Sequence, residues 1–463
     1  MAGGAGLAGP RIRAGPRGIR GPLRHPGRHH PLVLRDHRDE RHPVAGARRP
    51  AAPGRGGGAR TDRRLTMGTT DPDVGPTYDV VVVGLGIMGA SALYHLARTG
   101  LKVLGVEAHG PLNVLGSSHG QSRIFRRAYW EGEQYLPLLE RSYAGWMELD
   151  GATHDTIAVR TGGLFVGSPD SKLVQGSRDT AVRGGIDHEY LDAGEITARF
   201  PAFRVADDAV AIYEPDALML FADHARLNYL SRAGAAGAEI VYGRTVRALE
   251  PASGGALTVR GAGWEVGCGT VVLAVGGWIG RFLPGEIAPL VTPMRIPVYE
   301  FDVAESVERD HLPGRFPVFL YEHTDGALVY GLPKWQMVDG GLKLGFHNRQ
   351  LSPMDIDSGR RPPADAERLE LWQTIRPLLP GVRSTGRGTS CVYTMSRDES
   401  FLIGRSRELP GVVYASACSG HGFKFAPGIG EVLAQLATEG RSTVDISAFG
   451  PERMASADAV QRN

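Results

Sequence analysis

Between residues 78 and 107 the chain changes character three times. An apolar run, YDVVVV, gives way to glycines at 84, 86 and 89; apolar residues then recur at helical spacing, and a second apolar run ends in the acid Glu107. Short apolar runs bounded by glycine predict buried strands, and a 3.6-residue period predicts an amphipathic helix, so this stretch predicts strand (Asp79–Val83), turn, helix and strand. The polar, glycine-containing segment Gly110–Gly132 predicts a loop, followed by a helix over about Tyr135–Leu149. Strands are expected at Thr161–Val166, Ala209–Tyr213 and Glu239–Tyr242, a helix at Phe221–Ala235, and a buried strand ending in glycines at Thr270–Gly277. From Pro293 to about Arg397 the pattern shifts to β-branched and aromatic alternation, with strands at Ile296–Val303, Val318–Tyr321, Ala327–Gly331 and Leu342–His347 and one helix near Ala364–Leu378. Strands Phe401–Gly404 and Val412–Ser416, a glycine-rich turn and a helix Gly430–Thr438 complete the chain. No internal repeat is evident.

The first unit has the form of a dinucleotide-binding βαβ element. Gly84 permits the tight turn, Gly86 lets backbone approach a pyrophosphate, Gly89 lets the helix pack closely on the sheet, and Glu107 stands about 20 residues on, where an acid accepts from a ribose hydroxyl. The phosphates of such a ligand rest on the helix N-terminus, whose N–H groups are unpaired and whose dipole attracts anions. A sheet-rich insertion and a late strand–turn–helix, VVYASACSGHGFKFAPGIGEVL, favour FAD over a nicotinamide, the late helix being placed to stabilise negative charge on a reduced flavin. The expected fold class is α/β plus antiparallel β: a Rossmann-type FAD-binding domain (77–160, 223–292 and 398–449) with an inserted sheet-rich substrate domain (161–222 and 293–397).

Charge is unevenly placed in the 463 residues: the first 66 carry 15 Arg, no Lys and 4 acids, leaving the remainder at −9. The basic pI of about 8.4 thus belongs to the leader and is no argument for nucleic-acid binding by the folded body. Rich in Gly, Pro, Ala, Arg and His and without apolar periodicity, residues 1–66 are expected to be disordered, with a natural product beginning at Met67. They lack the apolar core of a secretory signal, and their Gly and Pro density opposes an amphipathic transit helix. The least charged run, Val80–Leu96, falls short of the roughly 20 apolar residues of a membrane span. Cys268, Cys391 and Cys418 are too few and scattered for a disulfide framework or a zinc site, so no metal and a reducing cytoplasm are expected.

Four further stretches, GSSHGQSRIFRRAY (116–129), GLKLGFH (341–347), RGTSCVYT (387–394) and SGHGFKF (419–425), make the chain resemble, from Tyr78 to about Phe449, the monomeric sarcosine oxidase family of flavoprotein amine oxidases, which includes N-methyltryptophan oxidase and pipecolate oxidase. Read by residue type alone, Cys391 is an inert core cysteine, Arg126 a surface or phosphate-facing arginine, Lys424 a helix-entry lysine and Lys343 a solvated strand lysine. The resemblance implies other roles. Cys391 would form a thioether to the flavin, while Cys268 and Cys418 stay structural. Arg126 and Lys424 would hold the substrate carboxylate by a planar fork and a point charge. Lys343 would activate dioxygen over the flavin; His347, four residues on in the same strand and so on the same face, would join it, with Tyr330 near the substrate amine and Arg123 near the reactive face. His119, Val246, Gly276, Gly420 and Gly422 would contact the cofactor, and Phe319, Leu320, Tyr393 and Gly420 would line the substrate pocket.

The implied reaction moves a hydride equivalent from the carbon beside a neutral secondary amine to FAD. The imine hydrolyses and dioxygen leaves as hydrogen peroxide, with formaldehyde released from N-methyl substrates. Cations at Arg126, Lys424, His347 and Lys343 would disfavour the ammonium form of the substrate. A monomer with no nucleic-acid or membrane partner is expected. Sarcosine, a bulkier N-methyl amino acid, a cyclic imino acid and a glycated amino acid stay open as substrates, as does a dehydrogenase using another electron acceptor.

Overall fold

A computed structural model describes residues 78–335 and 340–454; the expectation for residues 1–66 lies outside the described residues. Strand Tyr78–Val83 lies inside an eight-stranded sheet, paired in parallel with Val103–Val106 on one side and Trp264–Leu273 on the other. Glu239–Val241 adds a further parallel strand beyond Val103–Val106, and Val412–Ser416 pairs in parallel with Val271–Leu273. Parallel strands buried on both faces read as continuous apolar runs, which is why YDVVVV shows no alternation: Val81 and Val82 are fully buried. The sheet is widened by an antiparallel meander, Val246–Pro251, Leu257–Gly261 and Trp264–Leu273, and by Leu402–Arg405.

Helix Ile87–Ala97 packs through Ala90, Leu93 and Leu96 in one apolar core with Tyr229 and Leu230 of helix Ala222–Ala235 and Ile429, Val432 and Leu433 of helix Ala426–Thr438. Its approach depends on two glycines. Gly84 has φ +85°, a conformation costly for residues with a Cβ, and a Cβ on Gly89 would stand 1.8 Å from the Gly84 carbonyl oxygen. The late helix begins at Ala426, four residues before the predicted Gly430, preceded by a 3₁₀ turn at Phe423–Phe425; Pro427 in the first turn suits a helix start, where no N–H partner is needed.

The second sheet takes nine strands from residues 163–214 and 291–396. All of its pairs are antiparallel except Val318–Glu322 with Gly163–Gly167, which run parallel. Its longest pair is Val291–Val303 with Val382–Ser396, whose register sets Cys391 opposite Ile296. Alternation decides which residues see the site. Tyr299, Phe301, Leu342 and Leu344 enter an apolar core, so Glu300 and Lys343, directly opposite each other in the ladder, share the other face. Phe319 likewise packs in the core with Phe203 and Phe316. Its expected place in the substrate pocket is thus corrected, since adjacent strand residues point to opposite faces and Leu320 takes the cavity side. A three-stranded sheet of Ser122–Phe125, Ala158–Arg160 and Leu218–Phe221 lies outside both larger ones.

Candidate active site

A large cavity of about 1440 Å³ runs from the first βαβ unit to the second sheet, above the roughly 300–1,000 Å³ of ordinary small-molecule pockets. Of the residues singled out for the cofactor, Gly84, Gly86, Glu107, His119, Arg123, Val246, Gly276, Cys391, Gly420 and Gly422 line it. Gly89 does not, consistent with its packing against the sheet. Helix Ile87–Ala97 starts at Gly86 without a side-chain cap of its own, and Gly86, Ile87 and Met88 face the cavity. One of its orphan N–H groups, that of Ile87, donates to Ser118 Oγ at 3.0 Å. Glu107 is fixed by the backbone N–H groups of Leu85 (2.9 Å) and His109 (3.0 Å), each on a different carboxylate oxygen, leaving lone pairs for a ribose. A helix N-terminus facing the cavity, an acid at the second strand and room beyond them fit a dinucleotide extended toward the second sheet.

At the far end the loop bearing GSSHGQSR is folded around Arg123. Its guanidinium donates to the carbonyls of Ser117 (3.0 Å), His119 (2.6 Å) and Ser122 (2.8 Å) and stacks on Phe423. This loop sets His119 Nε2 3.4 Å from Cys391 Sγ. Burial opposes ionisation of the Cys391 thiol, yet the hydrogen bond and charge of His119, helped by Arg123 and Lys343, bring it down to about 6. Cys268 goes the other way, pushed up to about 12 by burial, and burial also raises Cys418. Among the three cysteines, Cys391 alone is poised as a thiolate nucleophile. Arg360, not singled out in the sequence, stands 3.0 Å from His119 Nε2 and donates to the Ser390 carbonyl at 3.0 Å.

Lys343 Nζ donates to the Ser122 carbonyl at 2.7 Å, and the surface it retains belongs to the cavity wall. Burial, aided by Arg123, lowers it to about 7. His347 lines the same cavity, as the period-2 argument required, and so does Tyr330 from the neighbouring strand. Tyr330 is pushed up to about 12 by burial. Burial lowers His347 to about 4, its nearby carboxylate Glu131 resisting and Arg126 and Lys424 adding to the shift. The expectation of a cationic His347 is therefore corrected: at neutral pH this imidazole is neutral.

Arg126 and Lys424 line the cavity and are 2% and 5% exposed, so neither is the surface cation that residue type alone suggests. Arg126 already holds a carboxylate: one of its guanidinium nitrogens lies 2.7 and 2.6 Å from the two oxygens of Glu131 and the other donates to the Ala128 carbonyl at 3.0 Å. Burial opposes the Glu131 charge, but Arg126, with His421, Lys424 and His347, holds it down to about 2. Lys424 Nζ donates to the His421 carbonyl at 2.7 Å; burial, with Arg126, lowers it to about 7. His421 Nδ1 is 2.6 Å from the Tyr129 hydroxyl. Glu131 and His421 were missed in the sequence, although Glu131 stands five residues after Arg126 in the same polar segment.

One consequence is measurable in stability. A lysine near 7 in the fold and about 10.4 unfolded is charged in both states below pH 7, where the full cost of burying its charge is present. Between these values the unfolded chain binds more protons, so stability rises with pH. Lys343→Met should therefore melt at a higher temperature than wild type at pH 7, the gap shrinking toward pH 10. A gap that grows with pH contradicts this.

The profile of the FAD dependent oxidoreductase family matches residues 79–436. Monomeric sarcosine oxidase of Streptomyces avermitilis is 36% identical over 388 residues, covering 83% of this chain and 100% of that protein. N-methyl-L-tryptophan oxidase of Yersinia pestis is 34% identical over 381 residues, covering 81% and 99%. Among solved structures, NikD, an unusual amino acid oxidase essential for nikkomycin biosynthesis, superposes with a TM-score of 0.70 at 25% identity over 81% of this chain and 97% of that one. L-proline dehydrogenase from P. horikoshii shares the fold, with a TM-score of 0.68 at 18% identity, over 83% and 99%. The chain belongs to the FAD dependent oxidoreductase family and, within it, to the group of monomeric sarcosine oxidase and N-methyl-L-tryptophan oxidase.

Proposed function

We propose that this protein is a flavoprotein oxidase of N-methyl amino acids, converting the amine to an imine and dioxygen to hydrogen peroxide. The observation that carries the reading is the buried Arg126 seated on the Glu131 carboxylate beside Lys424, since a site that already binds one carboxylate in a water-poor cavity is built for another. On this reading the substrate carboxylate takes the place of Glu131 on the Arg126 fork, and Lys424 adds its charge. Neutral His347 and Tyr330 line the wall where the amine carbon would lie, while Arg123, Arg126 and Lys343 disfavour a protonated amine. Bound FAD supplies the hydride acceptor. The protein's part is orientation and fixed charge.

Cys391 is proposed as the thioether anchor of the flavin, supported by its lowered thiol and by His119 at its side. Lys343 is proposed as the cation that meets dioxygen. Residues 77–160, 223–292 and 398–449 would carry the cofactor, and 161–222 and 293–397 the substrate. The enzyme is proposed to act as a monomer in the cytoplasm. The name of its relative, monomeric sarcosine oxidase, supports a monomer, and a free thiol suits a reducing compartment.

Removing the Arg126 or Lys424 charge tests the carboxylate site. A charge-assisted hydrogen bond is typically worth about 1.5–3 kcal/mol, roughly tenfold or more in affinity. Arg126→Gln and Lys424→Met should each weaken N-methyl amino acids by at least that factor with flavin content unchanged. The variants should no longer prefer these acids over amines lacking a carboxylate. A preference that persists in both places the carboxylate elsewhere.

A further inference from the structure

Turning dioxygen into hydrogen peroxide takes two electrons and two protons. The reduced cofactor gives up two electrons and one proton, so one more proton must enter from the protein. If Lys343 delivers it, an enclosed ammonium must be recharged at every turnover.

A second, small cavity adjoins the large one and shares part of its wall, Lys343 included. Its volume is about 20 Å³, and its wall includes Lys343, Glu300, Gln121 and Ser122. That is room for one water, which needs two to four polar partners, and these side chains supply them. Glu300 and Gln121 converge on this space: one point, where a Cβ on Gly340 would stand, is 3.4 Å from Glu300 Oε2 and 3.5 Å from Gln121 Oε1. Glu300 is the direct cross-strand partner of Lys343, which puts both side chains on one face with Cβ atoms roughly 4.5–5.5 Å apart. The glutamate side chain is also 26% exposed, with Arg387 3.5 Å away on the solvent side. It is therefore partly exposed and also the cross-strand neighbour of the lysine.

We propose that Glu300 is the proton-relay residue of the oxygen half-reaction, passing a proton from solvent through one water, oriented by Gln121, to Lys343. The inference rests on the oxidase reading above. In each cycle Lys343 gives its N–H proton to the oxygen being reduced, the water gives a proton to the Lys343 amine, and Glu300 returns a proton to the water and is reprotonated from bulk. The charges facing Lys343 are Arg123, Asp223, Cys391 and Glu300; those facing Glu300 are Lys343 and the ion-paired Arg387.

The test is stopped-flow reoxidation of the substrate-reduced holoenzyme by dioxygen, in H₂O and D₂O across pH 6–9, for wild type, Glu300→Gln and Glu300→Asp. Anaerobic reduction by substrate is the internal reference. Glu300→Gln should reoxidise at least tenfold more slowly, with a larger solvent isotope effect and partial rescue by small buffer acids, and Glu300→Asp should recover much of the rate. A readout apart from turnover is the Lys343 titration followed by ¹⁵N-lysine NMR, which should move downward in Glu300→Gln. Slowing with an unchanged isotope effect and no rescue would reduce Glu300 to an electrostatic neighbour and overturn the relay, as would wild-type rates or an unmoved Lys343. A wild-type protein that reduces normally but reacts sluggishly with dioxygen would contradict the oxidase reading itself, and the relay with it.

Discussion

Lys343→Met is expected to slow reoxidation of the reduced flavin by dioxygen by two or more orders of magnitude while leaving anaerobic reduction by substrate much less affected. The first electron makes dioxygen an anion inside a cavity with little water to solvate it. A fixed ammonium there is worth far more than in solvent and needs no reorganisation when the charge appears. A hundredfold loss is on the order of 3 kcal/mol of barrier. Lys343 is held in place by the Ser122 carbonyl at 2.7 Å, and methionine keeps most of the volume without the charge. With burial and Arg123 lowering the lysine to about 7, the wild-type reoxidation rate should fall as pH rises through that region, and the variant should lose this dependence. A variant reduced slowly but reoxidised at the wild-type rate would place Lys343 with the substrate instead.

The second large effect is expected at Cys391. Wild-type protein precipitated with acid should stay yellow, because a thioether survives unfolding, and Cys391→Ala should release its flavin into the supernatant. His119 is the group through which the thiol is lowered to about 6, so His119→Ala should reduce the covalently held fraction while leaving some flavin bound. Arg360 only flanks the imidazole, 3.0 Å from Nε2, and its removal should disturb the fraction less than removal of His119. Release of flavin from wild type and Cys391→Ala alike would end the covalent assignment without touching FAD binding.

The parts of this architecture that rest on strict periods were readable from the residues. Buried parallel strands, a glycine turn and an amphipathic helix leave a strong mark, and Tyr78–Val106 follows the predicted order within a residue or two. Helix Lys172–Arg183 left no such mark because its buried face includes Ser177 and Thr180 beside Leu173, Val174 and Ala181. The seven-residue helix Ala193–Arg199 is too short for a period, although its capping box, Asp192 with Glu195, was there to be read. In the site, period-2 reasoning placed Lys343 and His347 on one wall but could not give their charge, which depends on how completely the cavity excludes water. Glu131 escaped notice because its pairing with Arg126 is made by a loop and leaves no periodic trace. Phe319 was misplaced by being grouped with its neighbour Leu320, when adjacent strand residues face opposite ways.

The central claim is that an N-methyl amino acid reduces this flavin and that dioxygen reoxidises it to peroxide. The most direct measurement mixes the purified protein with N-methyl amino acids, first anaerobically while following the flavin absorbance, then in air while counting products. The account predicts bleaching without oxygen and, in air, one hydrogen peroxide and one formaldehyde for each N-methyl amino acid consumed. A flavin left oxidised by every N-methyl amino acid, or one that is bleached but yields no peroxide in air, would contradict it.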